Sequence, residues 1–361
     1  MKEENKTEMP KTTELFEILS YLISVPTVSG LESVYQPVIV SKLSSLCEPF
    51  GIEIIRKNNG NIILHKHCGV SDIDSSKSAK KLLIDTHVDQ IGLSVTEICE
   101  GGFIRASAIG GIDARTLAAG DVIIIGKERV SAVVASVPPH LRSGDEESLS
   151  STDNILIDTG LSYEEACSLI SVGDAVVFEN SISTLANGCI SASSLDNKIS
   201  AACAILALIS SKNVAYDTYV LLSSREESGA FSGMRTGIYS VLPDYIITID
   251  VNFARAPVVK RRESIQRGGG PSVSFSALTD RNTTDKVISL AKNNSIPLSV
   301  VVEADNLGTN ANAAALVGYG AYIVNMSLPL TNMHSTHESA SLIDAERLSR
   351  LLTLIIEGGL E

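Results

Sequence analysis

The sequence predicts an α/β protein that carries a nested β-rich insert, and three observations predict it. Apolar runs ending in polar or acidic residues alternate with helical segments at both ends of the chain. From Ile91 to about Glu179 the texture changes to short β-rich runs broken by Gly, Pro and charged turns. After Gly188 the βα alternation resumes. The boundaries that follow are a discontinuous α/β domain over residues 1–90 and 188–361, and an inserted β domain over 91–187. A length of 361 residues suits two domains, and 44% hydrophobic with 20% charged residues is enough to build a core.

The elements follow in chain order. Leu15, Phe16, Leu19, Leu22 and Ile23 recur at helical spacing, so Thr13 to Val25 reads as an amphipathic helix. Gly60 to Leu64 reads as a strand after a turn, and Ser71 to Lys81 as a polar loop. Lys81 to Asp89, KLLIDTHVD, has the form of a buried parallel strand that delivers side chains at its carboxyl end. In the insert, Asp121–Ile125 and Ser131–Val137 are β runs. Gly110-Gly111-Ile112-Asp113, Pro138-Pro139-His140 and Gly173-Asp174 are turns, and together they describe a small barrel or sandwich. Lys198–Ile209 is an Ala-rich helix, and Thr218–Ser224 and Tyr245–Val251 are strands. Gly268–Pro271 is a tight turn; Thr283–Asn293 and Asp344–Glu357 are helices; Val300–Glu303 and Ala321–Met326 are strands.

Composition excludes several functions. A net charge of -13 argues against nucleic acid, which needs clustered Lys and Arg. No apolar run approaches the roughly 20 residues of a membrane span, and Met1–Lys11 lacks the apolar segment of a signal peptide. Six scattered cysteines without a CxxC pair argue against a disulfide scaffold or zinc knuckle and point to a cytoplasmic setting. Trp is absent and aromatics are 4%, which weakens stacking-based recognition.

The chemistry collects at strand ends. His87 and Asp89 close one strand, Asp196 heads the Ala-rich helix, and Glu226 and Glu227 follow a third segment. Asp250 ends YIITID, and His334 follows the last strand. In an open α/β sheet, carboxyl ends converge on one crevice. Imidazoles and carboxylates suit zinc, cobalt or manganese. Three carboxylates and two imidazoles can hold two divalent ions if one carboxylate bridges, and the ligand charge then leaves the site net positive. The Glu226-Glu227 pair permits one carboxylate to bind metal while its neighbour moves a proton.

These segments resemble the dinuclear-metal aminopeptidases of the glutamyl and tetrahedral (TET) aminopeptidase family, formerly described as endoglucanase-like. The carrying stretches are D-T-H-V-D-Q-I-G at Asp85–Gly92, G-G-I-D-A-R-T-L at Gly110–Leu117 and P-P-H-L at Pro138–Leu141. S-L-D-N-K at Ser194–Lys198, S-R-E-E-S-G at Ser224–Gly229 and I-D-V at Ile249–Val251 follow. G-T-N-A at Gly308–Ala311 and M-H-S-T-H-E at Met333–Glu338 complete the series, in the family's order from about residue 12 to 358.

The resemblance implies an α/β/α sandwich metallopeptidase domain with an inserted β-barrel-like dimerisation domain. It implies that Asp196 bridges two ions, with His87 and Asp250 on one and Glu227 and His334 on the other. Asp89 would orient His87, and Glu226 would be the general base acting on a water that bridges the metals. The expected activity is removal of the N-terminal residue from peptides with a free amino group. Self-association into dimers and dodecamers is also expected. Two positions depart from the family's pattern: Gln90 stands where Glu is common, and Asn310 where Asp is common. Neither looks like a ligand, so both are expected to act around the ligands.

Arg255, in the loop after Asp250, is a candidate contact for an acidic substrate side chain. Lys260-Arg261-Arg262 reads as an exposed loop, and His65 and His67, flanking Lys66 in a strand, receive no role. An amide deacylase or carboxypeptidase-type hydrolase shares the two-metal chemistry, and a catalytically weak oligomeric scaffold would keep only the fold. A glycosidase is the weakest alternative, because paired imidazole and carboxylate ligands suit metals better than a sugar.

Overall fold

A computed structural model describes residues 11–68, 79–136, 152–179, 181–257, 259–261, 264–303 and 307–360. Most of the expected 71–81 loop, the Pro138-Pro139-His140 turn with its P-P-H-L stretch, and Arg262 lie outside the described residues.

The chain opens with α1 (Lys11–Ser24), α2 (Glu32–Cys47), β1 (Glu53–Arg56), β2 (Ile62–Lys66) and β3 (Lys81–His87). The insert follows as β4 (Gly92–Ile98), β5 (Ile104–Ile109), β6 (Asp121–Ile125), β7 (Arg129–Val134), β8 (Ile155–Asp158), α3 (Tyr163–Leu169) and β9 (Ala175–Phe178). The first unit resumes with β10 (Ser183–Thr184), β11 (Cys189–Ala192), α4 (Leu195–Ser210), β12 (Asp217–Ser223), α5 (Ser232–Val241) and β13 (Tyr245–Phe253). It ends with β14 (Ser272–Phe275), α6 (Arg281–Asn293), β15 (Ser299–Val302), α7 (Asn310–Ala314), β16 (Tyr322–Thr331), β17 (Glu338–Ser341) and α8 (Leu342–Ile356).

The large sheet runs in the order β1-β2-β12-β3-β13-β16-β17-β11-β10, with β14 on β16 and β15 on β14. Its centre, β12-β3-β13-β16, is parallel, so four carboxyl ends emerge side by side. The two faces bury different side chains of the same strands. Ile62 and Leu64 of β2 join α1, α4 and α8 in one core, whereas Ile63 joins Met234 and Ile238 of α5 and Ala313 of α7 in another. The architecture is therefore helix, sheet, helix. Helix α4 is apolar on nearly every side because it lies between the sheet and α1 and α8, and residues Leu195–Ile209 are all buried.

The insert is a closed antiparallel barrel, β4-β5-β8-β7-β6-β9, with its own apolar core that includes Leu93, Ile124, Ile157 and Phe178. Val28, in the loop after α1, packs against Ala175 and Val177 of the barrel. Gly92 permits that approach: a Cβ there would lie 2.7 Å from Val28 Cγ2. Among the described residues, no helix is long and apolar enough to cross a membrane.

Candidate metal centre

His87 ends β3, the Glu226-Glu227 pair follows β12, Asp250 lies in β13, and His334 follows β16. The fifth ligand-type residue, Asp196, stands in the first turn of α4, where its own φ of -74° and ψ of 107° are not helical. All five side chains and Glu226 come together at the carboxyl edge of the parallel strands. They form two groups of possible ligands that share Asp196: His87, Asp196 and Asp250, and Asp196, Glu227 and His334.

The distances are close. His87 Nε2 lies 3.2 Å from Asp196 Oδ1 and 3.6 Å from Asp250 Oδ1. His334 Nε2 lies 3.4 Å from Asp196 Oδ2 and 3.5 Å from Glu227 Oε2. The two oxygens of Asp196 thus face different imidazoles. Each imidazole commits its Nδ1 to a main-chain carbonyl. His87 Nδ1 donates to Asp89 O at 3.0 Å, and His334 Nδ1 donates to Gly111 O at 3.1 Å. With Nδ1 protonated, a neutral ring presents an Nε2 lone pair, and here that lone pair faces carboxylate oxygens. Only a proton or a cation between them reconciles the arrangement. The nitrogen and oxygen donor set fits divalent transition metals, so the residues fit the expected group.

The electrostatics point the same way. Burial raises the Asp196 carboxyl, but the His334 and His87 imidazoles outweigh it and hold the group well below its ordinary range. Burial lowers His87, yet Asp196 and Asp250 carry it well above the usual imidazole value. Asp196 raises His334 as well. Burial, with the charge of Asp196, drives Glu227 up. Burial also drives Glu226 to about 8, against the pull of His87 and with Asp250 and Asp196 adding to the rise. So many acids crowded out of water call for positive charge among them.

The surrounding residues fix this geometry. Asp89 is buried, and its carboxylate accepts the backbone N–H groups of Glu226 and Glu227, each at 3.1 Å. That carboxylate stays 3.7 Å from His87 Nδ1, so the orienting contact to the imidazole comes from the Asp89 carbonyl instead. Gln90 Oε1 accepts from the buried Lys198 ammonium and from Thr27 N. Asn310 Nδ2 donates to Asp85 Oδ2 at 2.8 Å and to Ser223 Oγ at 2.9 Å. An Asp at 310 would offer Asp85 no donor when ionised. Neither Gln90 nor Asn310 belongs to a possible ligand group.

Sequence reasoning missed three contributors. Glu338 is fully buried; its Oε2 accepts from Asp196 N and its Oε1 from His334 N, both at 2.9 Å. One carboxylate therefore positions a residue of both groups. Its signal was present in the M-H-S-T-H-E stretch, but nothing in the sequence says that its partners are backbone amides. Glu32, from α2, accepts from Arg225 N at 2.7 Å and so steadies the Glu226-Glu227 segment. Gly111, from the barrel, supplies the carbonyl for His334, and a Cβ there would stand 3.0 Å from His334 Nδ1.

A cavity of about 340 Å³ opens over the centre, with His87, Asp196, Glu226, Asp250 and His334 in its wall. Phe253, Leu307 and Met333 also line it, together with Glu303. Glu303 Oε1 accepts from Asn252 Nδ2 at 3.0 Å. Arg255 is exposed, donates to Gln266 Oε1 at 3.1 Å, and is absent from the cavity wall. Lys260 and Arg261 are exposed, and so is His337, which pairs with Thr336 Oγ1. Cys203 is buried, and Cys189 is partly so.

Comparison with known proteins is consistent across the chain. A family model described as M42 glutamyl aminopeptidase matches residues 60–351. A lysyl aminopeptidase of Pyrococcus furiosus is 27% identical over 348 residues, covering 95% of this chain and 96% of that one. The TET aminopeptidase of Thaumarchaeota archaeon SCGC AB-539-E09 has the same fold, with a TM-score of 0.86 at 24% identity over 96% of this chain and 97% of that one. So has the TET1 peptidase of Pyrococcus horikoshii, described as able to assemble into a tetrahedron or a large octahedral shell. Its TM-score is 0.80 at 24% identity, covering 95% and 99% of the two chains.

Proposed function

The chain belongs to the M42 glutamyl aminopeptidase family, and from that premise we propose that it is a metal-dependent aminopeptidase whose centre holds two divalent ions. Asp196 would bridge them, His87 and Asp250 would complete one ligand set, and Glu227 and His334 the other. When bound, ions of the zinc, cobalt or manganese kind supply Lewis acidity to the scissile carbonyl and make a nearby water more acidic.

The chain's own residues do the rest. Glu226 stands in the cavity wall and in neither ligand group, so its carboxylate is free to take a proton from the attacking water. It then passes that proton to the nitrogen of the departing amine. Asp89 holds the Glu226 and Glu227 backbone, and Glu338 holds Asp196 and His334, so neither acid nor ligand has to be ordered during the reaction. The acids around the centre suit the free ammonium of a peptide N-terminus. The observation that carries this reading is the pair of imidazole–carboxylate groups sharing Asp196, with one unshared acid beside them.

The substrate side chain would enter the cavity past Phe253, Leu307 and Met333 and meet the Glu303 carboxylate, which favours a basic N-terminal residue over an acidic one. The name of the P. furiosus relative agrees in direction. The barrel is read as the surface of self-association, by analogy with the assemblies described for TET1, and the protein as a cytoplasmic one.

Hydrolysis of aminoacyl-chromogens (Lys, Leu, Glu, Asp, Ala) by chelator-treated enzyme, with zinc, cobalt or manganese added back, tests the activity. Metal-restored cleavage of free-amine substrates, with amino-blocked ones untouched, is expected. Metal binding without cleavage of any of them would refute it in favour of a deacylase or a scaffold. Light scattering in solution tests the assembly, and a monomer would refute it.

A further inference from the structure

A second cluster of ligand-type side chains lies at the opposite edge of the large sheet. Strands β1 and β12 flank β2, and their register sets Glu53 and Tyr219 directly across from His65. Period-two alternation brings His67 to the same face, where the two imidazole centroids are 3.9 Å apart. Lys66, between them, turns to the other face and donates to the carbonyls of Leu208 and Ser211. Asp217 joins from the first residue of β12. The Glu226-Glu227 pair follows the far end of that seven-residue strand, so the cluster stands about 20 Å or more from the metal centre.

One nitrogen of each imidazole and one Glu53 oxygen lie within 4.8 Å of one another. His65 Nδ1 is 3.8 Å from Glu53 Oε2, and His65 Nε2 is 3.9 Å from Asp217 Oδ1. His67 Nδ1 is 3.8 Å from Asp217 Oδ1. These separations are too long for hydrogen bonds. Two donors bound to one zinc-sized ion stand about 3.3–3.5 Å apart, so Glu53 and His65 need close by only a few tenths of an ångström, and His67, within 4.8 Å of both, by at most about 1.5 Å.

His65 itself carries the argument. It is only 6% exposed, and its ring stacks on Tyr219 with centroids 4.0 Å apart and planes 9° apart. Its buried Nε2 has no hydrogen-bond partner among the described residues. A phenyl ring would fill that place without burying an unmatched polar atom. Asp217 is fixed in turn, because its Oδ1 accepts from Cys68 N at 3.0 Å.

We propose that Glu53, His65 and His67 form a further site for a zinc-class divalent ion held through His65 Nδ1, with Asp217, now 3.9 Å behind His65 Nε2, drawn in to accept its N–H when the ion binds. A carboxylate behind a ligating imidazole fixes its tautomer and raises its basicity. The Glu53 and His67 side chains are 61% and 67% exposed, so water completes the coordination sphere. Because the ligands come from β1 and from β2 and its extension, the ion would clip the edge strand of the sheet. Its role is structural and separate from the reaction.

The exposed positions allow a test with the full-length enzyme. Equilibrium dialysis against zinc should show one more ion per chain in the wild type than in H67Q or E53Q, or that ion bound at least tenfold more weakly in the variants. Hydrolytic rates with saturating metal should be the same in all three. Melting temperatures in chelator should coincide, and zinc should raise that of the wild type further than that of either variant. Equal zinc binding by the three proteins, or an equal zinc-induced rise in melting temperature, would overturn the proposal.

Discussion

Replacing Glu338 by Gln isolates the positioning of the metal ligands from the ligands themselves. Both carboxylate oxygens of Glu338 accept from backbone N–H groups, those of Asp196 and His334, and the side chain is buried. Gln keeps one acceptor and turns the other into an NH₂ that faces an N–H. One hydrogen bond to a charged acceptor is lost, and two donors are forced together. A buried bond of that kind contributes about 1.5–3 kcal/mol, which corresponds to roughly 10–150-fold at about 1.4 kcal/mol per decade. The loss should appear in metal affinity, because one of the displaced backbones carries the shared ligand. The assay is reactivation of chelator-treated enzyme by graded metal. The metal concentration for half-activation should rise by about 10–100-fold, while kcat at saturating metal falls much less. An activation curve that coincides with the wild type, at an unchanged melting temperature, would refute the positioning role.

Three further outcomes are expected. Glu226→Gln should leave metal content intact and lower kcat by about 10²–10⁴-fold, and retained turnover would remove Glu226 as the base. Gly110→Ala should cost about 1–3 kcal/mol in a melting experiment, because the residue sits at φ +86° and a Cβ would lie 2.6 Å from Ile91 Cγ2; an unchanged melting temperature would count against that strain. Glu303→Gln should lower kcat/KM for a Lys substrate relative to a Leu substrate by about tenfold, the equivalent of roughly 1.4 kcal/mol, and an unaltered ratio would exclude Glu303 from side-chain selection.

The legible parts of the fold were those whose pattern matches their environment. KLLIDTHVD and YIITID are continuous apolar runs because β3 and β13 are covered on both faces. Helix α2 was not legible: its buried stripe is Glu32, Gln36, Ile39, Leu43 and Cys47, so its first two inward positions are polar and Pro37 interrupts it. Those polar residues face inward for a reason, since Glu32 bonds to Arg225 N and Gln36 to the carbonyls of Lys57 and Asn61. Helix α5 was hidden by Gly233 and Gly237, which read as breakers. Cβ atoms there would fall 2.2 Å from Ser224 O and from Leu221 Cδ2, so the glycines are what lets the helix lie so close to β12. Among the site residues, those that follow apolar strands were readable, because strand ends announce themselves. Glu338 opens a strand of small residues, ESAS, and acts on backbone atoms, which leave no trace in a sequence.

The barrel reaches the site through the Gly110-Gly111 turn, which stands against Glu227 and His334 and links two parts of the molecule that the sequence keeps apart. His334 sits at φ +60°, a left-handed conformation costly for a residue with a Cβ. It is held there from both sides. Glu338 takes its backbone N–H, and Gly111, on the loop after β5, takes its Nδ1–H. The second restraint is only as firm as the barrel's position, which depends on Val28 packing against Ala175 and Val177 and on the backbone of Gln90 pairing with Thr27 and Ser29. The side chain of Gln90 meanwhile meets Lys198, two residues beyond Asp196. A rigid rotation of the barrel would therefore move the carbonyl that orients His334 while leaving Glu338 in place. In that geometry the insert tunes one ligand set and spares the other, since His87 and Asp250 take no orienting contact from it: His87 is held by Asp89, and Asp250 by the N–H of Val251.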